Sequence, residues 1–221
     1  EKFGSLDFKS NALYNNFEIN KHKSILINDV IWRPSNNITK QGFVNSFEGM
    51  LRNMNYRAKK TGDYKTEKTV NEIHGVLSYK SSLPMKKDGI NYSNLFSPNF
   101  MVRYAPGHMR DLSGKDTSLN HTNLYSLNKT SEIEDGLSAI LGFDFNTNEK
   151  KGEGINEQKL SVSMGQVFNI EENRDMPSKS SLDQKTSDVV GEINYNFSKI
   201  GKIGYKFSLD HDLNNFNYNE V

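Results

Sequence analysis

The chain reads as all-β: a segment of an antiparallel, up-and-down transmembrane β-barrel, about ten strands of a larger barrel with long polar loops on one side. Three observations predict this. Apolar and polar residues alternate through segments of about ten residues, the length a tilted strand needs to cross a bilayer. Only 34% of the 221 residues are hydrophobic, yet 13 Phe and 10 Tyr bring the aromatic share to 11%. So small an apolar share fills no large dry core, while disordered chains are poor in aromatics, so something other than a globular core buries the rings. Finally, the connectors between segments are polar and very unequal in length.

In chain order, weak alternation near residues 3 to 14 and 22 to 33 predicts two strands. Met54, Tyr56 and Ala58 alternate with Asn53, Asn55, Arg57 and Lys59, which places the first three on an oily face. Ile73, Gly75, Leu77 and Tyr79 oppose Glu72, His74, Ser78 and Lys80, and Phe100, Val102 and Tyr104 oppose Asn99 and Arg103. A further weak strand is predicted at 121 to 128. Leu137, Ala139, Leu141, Phe143 and Phe145 oppose Ser138, Gly142, Asp144 and Asn146, with Ile140 breaking the pattern. Leu160, Val162, Met164 and Phe168 oppose Lys159, Ser161 and Ser163. Val189, Gly191, Ile193, Tyr195 and Phe197 oppose Val190, Glu192, Asn194, Asn196 and Ser198, and Ile203, Tyr205, Phe207 and Leu209 oppose Lys202, Gly204, Lys206 and Ser208.

Lys59 to Lys68, Met85 to Asn94, Gly107 to Asn120, Asn146 to Gln158 and Ile170 to Thr186 read as polar connectors, several longer than the roughly two to five residues of a tight hairpin. Unequal loops are what outer-membrane barrels show, the long ones lying outside the cell. Pro34, Pro84, Pro98, Pro106 and Pro177 are expected at strand ends or in loops, where a missing amide hydrogen costs no ladder bond. No three-turn helix with a 3.6 period stands out, and no run of about 18 apolar residues marks a transmembrane helix.

A soluble β-sandwich also alternates, burying its apolar faces between two sheets, but its strands average about five or six residues. Longer segments and a wet opposite face favour a barrel wall, with Tyr56, Tyr79, Tyr104, Tyr195 and Tyr205 as an aromatic girdle.

A net charge of +1 gives no pull toward nucleic acid, and the absence of cysteine removes disulfides and thiolate sites. His22, His74, His108, His121 and His211 lie far apart in sequence, without metal-ligand spacing. Asp210 and His211 are neighbours, which in an alternating strand puts them on opposite faces and denies them a shared water to activate. There is no G-x-S-x-G and no calcium-loop pattern, so Glu132, Glu134, Asp135 and Asp144 read as solvated charges. Lys59-Lys60, Lys86-Lys87 and Lys150-Lys151 are the loop lysines able to meet phosphates. No catalytic, cofactor-binding or metal-binding residue is assigned.

Four stretches carry a family resemblance. They are Leu95 to Arg110, with an Arg103-Tyr104-Ala105-Pro106 element, and Asn123 to Lys129 followed by Gly136 to Phe145. The third runs Leu160 to Phe168, with Gly165-Gln166, through Met176 to Leu182 and into Ser187 to Gly191, and the fourth joins Phe207 to Asp210 with Phe216 to Asn219. Together, over about residues 95 to 221, they resemble the barrel of the LptD family of lipopolysaccharide-assembly proteins. The resemblance implies lipopolysaccharide transport and assembly at the outer membrane of a Gram-negative bacterium, with no covalent chemistry and no cofactor. It implies lipopolysaccharide and outer-membrane lipid as contacts, a plug lipoprotein (LptE-like) inside the barrel and a periplasmic bridge protein (LptA-like). It assigns no lipopolysaccharide-contacting or gate residue. Residues 1–221 are then one partial barrel domain, with the N-terminal periplasmic domain and remaining strands outside the segment. Glu1 to Leu6 do not read as a signal peptide, which fits a processed or internal piece. A porin or surface receptor barrel is the alternative reading.

Overall fold

The computed structural model describes residues 3–61, 68–130, 132–151, 155–197 and 201–221. Twelve strands form one antiparallel sheet among the described residues. They are β1 (Ser5–Glu18), β2 (Lys21–Arg33), β3 (Asn37–Ile38), β4 (Val44–Lys59), β5 (Val70–Ser82), β6 (Met85–Asp88), β7 (Tyr92–Ala105), β8 (Gly136–Lys151), β9 (Ile155–Asn169), β10 (Val189–Asn196), β11 (Lys202–Leu209) and β12 (Phe216–Glu220). Ten follow one another as neighbours, β1-β2-β4-β5-β7-β8-β9-β10-β11-β12, while the short β3 and β6 flank β4 and β7. The up-and-down order is the one expected, and β1 and β12 each pair on one side.

The sheet has two unlike faces, and the pairing register identifies them. Leu6, Trp32, Gly49, Leu77, Tyr104 and Leu137 lie on one cross-strand row and therefore on one face. That outer face is left uncovered: Leu51, Ile73 and Leu77 are 59%, 73% and 61% exposed. A water-soluble sandwich would bury these residues; here the oily side is outermost, as in a wall that touches lipid. On the opposite, inner face Met50, Val76, Met101, Ile140, Val167 and Val190 are buried beneath the chain's own loops.

The strands also slide past one another. Ser82, the last residue of β5, stands level with Asn99, Gly142, Gly165 and Val190, the last of these close to the start of β10. A steady stagger of this kind is the shear that tilted barrel strands require. The longest connections, 106–135 and 170–188, leave the same end of the sheet, in keeping with long loops on one side.

The structure corrects several expectations. Met54, Tyr56 and Ala58 face inward and are buried, while Asn53, Asn55 and Arg57 point outward, because at this end β4 has passed beyond the oily band. Tyr56 therefore leaves the girdle, whereas Tyr79, Tyr104, Tyr195 and Tyr205 stay on the outer face. No strand forms at 121 to 128; the segment is a series of turns lying on the inner face. The connector at Met85 to Asn94 is largely a hairpin of β6 on β7, and Asn146 to Gln158 is mostly β8 and β9 continuing past the oily band with polar side chains. The connector at Lys59 to Lys68 lies partly outside the described residues. Pro98 sits inside β7, paired with Phe143. Its carbonyl accepts from Leu83 N, so its missing amide faces the gap where β5 ends and β6 begins.

A sheet with an uncovered oily face and two open edges cannot stay monomeric in water. The isolated segment is expected to sediment as aggregate without detergent and to disperse with it; a detergent-free monomer at high concentration would contradict the wall reading.

Candidate functional site on the loop-covered inner face

The inner face is built to receive its loops. Gly142 and Gly165 pair across β8 and β9 with both positions facing inward. A Cβ on Gly142 would run into Met164 O and meet Tyr125 Oη at 2.5 Å, and one on Gly165 would meet Leu124 Cδ2 at 2.6 Å. Two missing side chains thus form the seat for Leu124 and Tyr125. Around the seat, Met101, Ile140, Val167 and Val190 from the strands pack with Leu119, Leu124, Met176 and Leu182 from the loops. Ile140, the residue that breaks the alternation, is fully buried there. Lys80 Nζ lies 4.2 Å from the Tyr125 ring centroid. Burial, then the Asp144 charge, raises the Tyr125 pKa, and its hydroxyl has no hydrogen-bond partner.

Arg103 anchors the second half of the first loop. It is 2% exposed. Its Nε donates to Leu127 O, and Nη2 donates to Glu134 O and, at 2.8 Å, to Asn128 Oδ1. Beside it, Lys129 Nζ donates to Ser126 O at 2.8 Å, and Glu134 accepts from Thr130 N at 2.6 Å. Asp135 accepts from Asn173 of the second loop at 2.6 Å. The acidic stretch expected to be solvated is therefore wired into the loop core, with Glu134 buried. Asp144 likewise points inward and accepts from Asn99 and Ser163, each at 2.7 Å.

Burial pushes the Lys129 ammonium down from 10.5 to about 8; Glu134 opposes the shift and Arg103 adds to it. Below pH 8 both folded and unfolded chains hold the proton, and the cost of burying the charge is fully present. Between about 8 and 10.5 the folded form sheds it first, so stability rises with pH, by about 3 kcal/mol in all. Denaturation of wild type and Lys129→Met in detergent from pH 7 to 11 should show this rise in the wild type only; parallel curves would rule out a buried charged amine.

The second loop is tied down at Asp188, which is fully buried. Ser181 Oγ and Ser208 Oγ donate to it at 2.7 Å and Asn217 Nδ2 at 2.8 Å. Ser180 and Ser181 hold positive φ, 57° and 51°, an uncommon conformation for residues with a Cβ. It turns Ser180 Oγ toward Leu119 N of the first loop and Ser181 Oγ toward Asp188. Asp210 and His211 lie in the turn after β11 rather than in a strand, so the two side chains meet, Nδ1 to Oδ1 at 2.8 Å. Asp188, Asp210 and His211 each place a ligand-type atom within 4.8 Å of the others. The same His211 Nδ1 also faces Ser181 Oγ at 3.3 Å, so the group has no relay from acid through imidazole to hydroxyl.

Other residues dispersed in sequence also converge. Glu72 accepts from Tyr56 at 2.8 Å and from Arg110 at 2.5 Å, with His74 Nε2 at 3.4 Å. His74 and His108 rings stand 5.7 Å apart, and His121 pairs with Glu192 at 2.9 Å. Sequence spacing missed these because β5 and the loop above it meet only in the fold. Of the loop lysines, Lys86 and Lys150 pair with Asp88 at 2.9 and 3.3 Å, and Lys151 pairs with Glu157.

Among the described residues, two cavities of mixed polar and apolar lining lie between loops and wall. One of about 710 Å³ lies among Asn120, His121, Ser178, Lys206 and Asn217, and one of about 420 Å³ among Lys129, Glu134, Asn169 and Glu171. Hydroxyls, amides and the basic Lys179 and Lys206 line the first, and charges of both signs line the second. Such groups exchange hydrogen bonds with water and with other hydroxyl-bearing molecules.

No curated protein matches the chain. Among protein families, residues 3–221 match LptD, LPS transport system D. The match runs through the strands before residue 95, where alternation alone carried the reading, as well as those after it. A two-faced antiparallel wall whose strands fall within this match from β1 to β12 is thus a member of the LptD family, and the chain belongs to it.

Proposed function

We propose that this chain forms part of the wall of an outer-membrane translocon that inserts lipopolysaccharide into the outer leaflet. Membership of the family assigns it to lipopolysaccharide transport, which is assembly work rather than enzyme chemistry. The supporting observation is the division of the sheet: an uncovered apolar outer face against lipid, and an inner face that carries buried loops and cavities where hydroxyls, amides and charged side chains are exposed. The acyl chains travel along an apolar route while the sugars use the polar side. Further strands of the longer protein pair β1 and β12 and close the barrel. A plug lipoprotein within the barrel and a periplasmic bridge protein that delivers lipopolysaccharide complete the machine. The long-loop end faces outward from the cell.

Depleting the full-length protein in its host, followed by labelling of surface lipopolysaccharide, tests the reading. Surface label should fall severalfold while the precursor accumulates in the inner membrane. Unchanged surface label on depletion would assign the wall to another kind of barrel.

A further inference from the structure

The outer face carries a second glycine pair, unlike the first. Gly49 on β4 and Gly75 on β5 are diagonal neighbours, since Gly49 pairs with Leu77 and Gly75 with Leu51. Neither has positive φ. A Cβ on Gly75 would meet only Leu51 Cδ2, at 3.5 Å, and one on Gly49 would meet Leu77 Cδ2 at 3.2 Å. The backbone therefore does not demand glycine at Gly75, and Gly49 asks only a small movement of Leu77. Glycine weakens a strand, and in such a place it marks the close approach of something else. What the two glycines produce is a groove of about 340 Å³ walled by Trp32, Leu51, Leu77, Tyr104 and Pro106.

The groove has a polar continuation. Moving from Leu51 toward the long-loop end, the outer face of β4 carries Asn53, Asn55 and then the exposed Arg57. Asn71 of β5 joins them: Asn71 Nδ2 donates to Asn55 Oδ1 at 2.6 Å, and Asn55 Nδ2 to Asn53 Oδ1 at 2.7 Å. From Leu51 to Arg57 is about 20 Å along the strand at roughly 3.4 Å per residue. Apolar groove, amide ladder and cation thus follow in the order of acyl chain, sugar and phosphate in a phosphorylated glycolipid standing in the outer leaflet.

We propose that this face is a seat for one lipopolysaccharide molecule on the outside of the barrel. An acyl chain lies in the Gly49/Gly75 groove, glucosamine hydroxyls and amides lie against Asn53, Asn55 and Asn71, and a phosphate meets Arg57. The seat deepens the transport reading and rests on its orientation, with the long-loop end outward.

Native mass spectrometry of the full-length protein, extracted from host membranes and washed with detergent, tests it. Wild type should retain one lipopolysaccharide per protein. Gly49→Val/Gly75→Leu, which fills the groove, and Arg57→Glu, which leaves it open and reverses the charge, should each lower retention at least fivefold. Because Arg57→Glu leaves Gly49, Gly75 and the groove-lining side chains in place, it keeps the proposal testable if the filled groove fails to fold. Equal retention in Arg57→Glu, or a phospholipid held by wild type in place of lipopolysaccharide, overturns the seat. Surface labelling of the same strains separates the two readings. Normal delivery with unchanged retention removes the seat and leaves transport standing, whereas wild-type protein whose depletion leaves surface label unchanged removes transport itself.

Discussion

Replacing Arg103 by Met is expected to release the loop 106–135 from the wall while leaving the strands paired. The guanidinium holds two main-chain carbonyls and one amide oxygen of the segment 127–134, all in a dry setting. Methionine fills similar space but donates nothing. The acceptors must then find water that the packed loop excludes, and Glu134 and Asp135 lose a buried positive neighbour. Loss of one partner from such a buried network costs about 3–5 kcal/mol. That weakens the attachment of segment 127–134, so this part of the loop should open far more often than in wild type. Limited proteolysis of the full-length protein in detergent should show cleavage within 106–135 at least tenfold faster than in wild type, with the barrel fragment intact. Arg103→Lys should behave almost like Met, because one ammonium cannot reach three acceptors spread around a planar fork. Wild-type protease resistance in either variant would mean that other contacts hold the loop.

The second large effect is expected at Gly142. A side chain there meets the main chain of β9 as well as Tyr125, and neither backbone can move without breaking the ladder between β8 and β9. Gly142→Val should cost about 3 kcal/mol, the upper range for forcing atoms into a packed site, and should also dislodge Leu124 and Tyr125. Gly75→Ala on the outer face is the matched comparison: the new methyl group is accommodated, and stability should stay level or rise by about 0.5–1 kcal/mol. Thermal unfolding in one detergent compares the two directly. Similar melting temperatures for both variants would show that the inner glycine pair is not a seat.

Much of the wall was legible in the sequence. Alternation identified β5, β7, β8, β9, β10 and β11 and their outward faces, because within the oily band one side of each strand meets lipid and the other carries mostly polar residues. It misjudged β4 at Met54 to Ala58 for a physical reason. Beyond the bilayer the outer face turns polar, while the inner face, covered by loops, turns apolar, so the same rhythm changes meaning partway along one strand. Ile140 and Val190, apolar residues on the otherwise polar side, were visible signs of that buried inner layer. The loops themselves were not legible: Arg103 looked like any wet-face residue, and the glycines at 142 and 165 looked like ordinary strand interruptions. Their role depends on Leu124 and Tyr125, which local pattern cannot bring to them. Asp210 and His211 were misplaced for a related reason, since the strand rule was applied to the two residues just past the end of β11.

The two loops clasp each other across a long stretch of chain. Leu112 N donates to Asp175 O, Asn173 Nδ2 reaches Met109 Sδ, and Lys179 meets Asp116, pairs separated by more than 60 residues. Contacts so remote in sequence form late, because closing a long stretch of chain costs entropy before any reward arrives. The hairpins β1-β2, β4-β5 and β8-β9 need no such wait. During biogenesis the wall should therefore assemble around an empty interior, and the interior should fill only as β7 to β10 come into register. Until the loops come down, the inner face around Gly142 and Gly165 is expected to stand open.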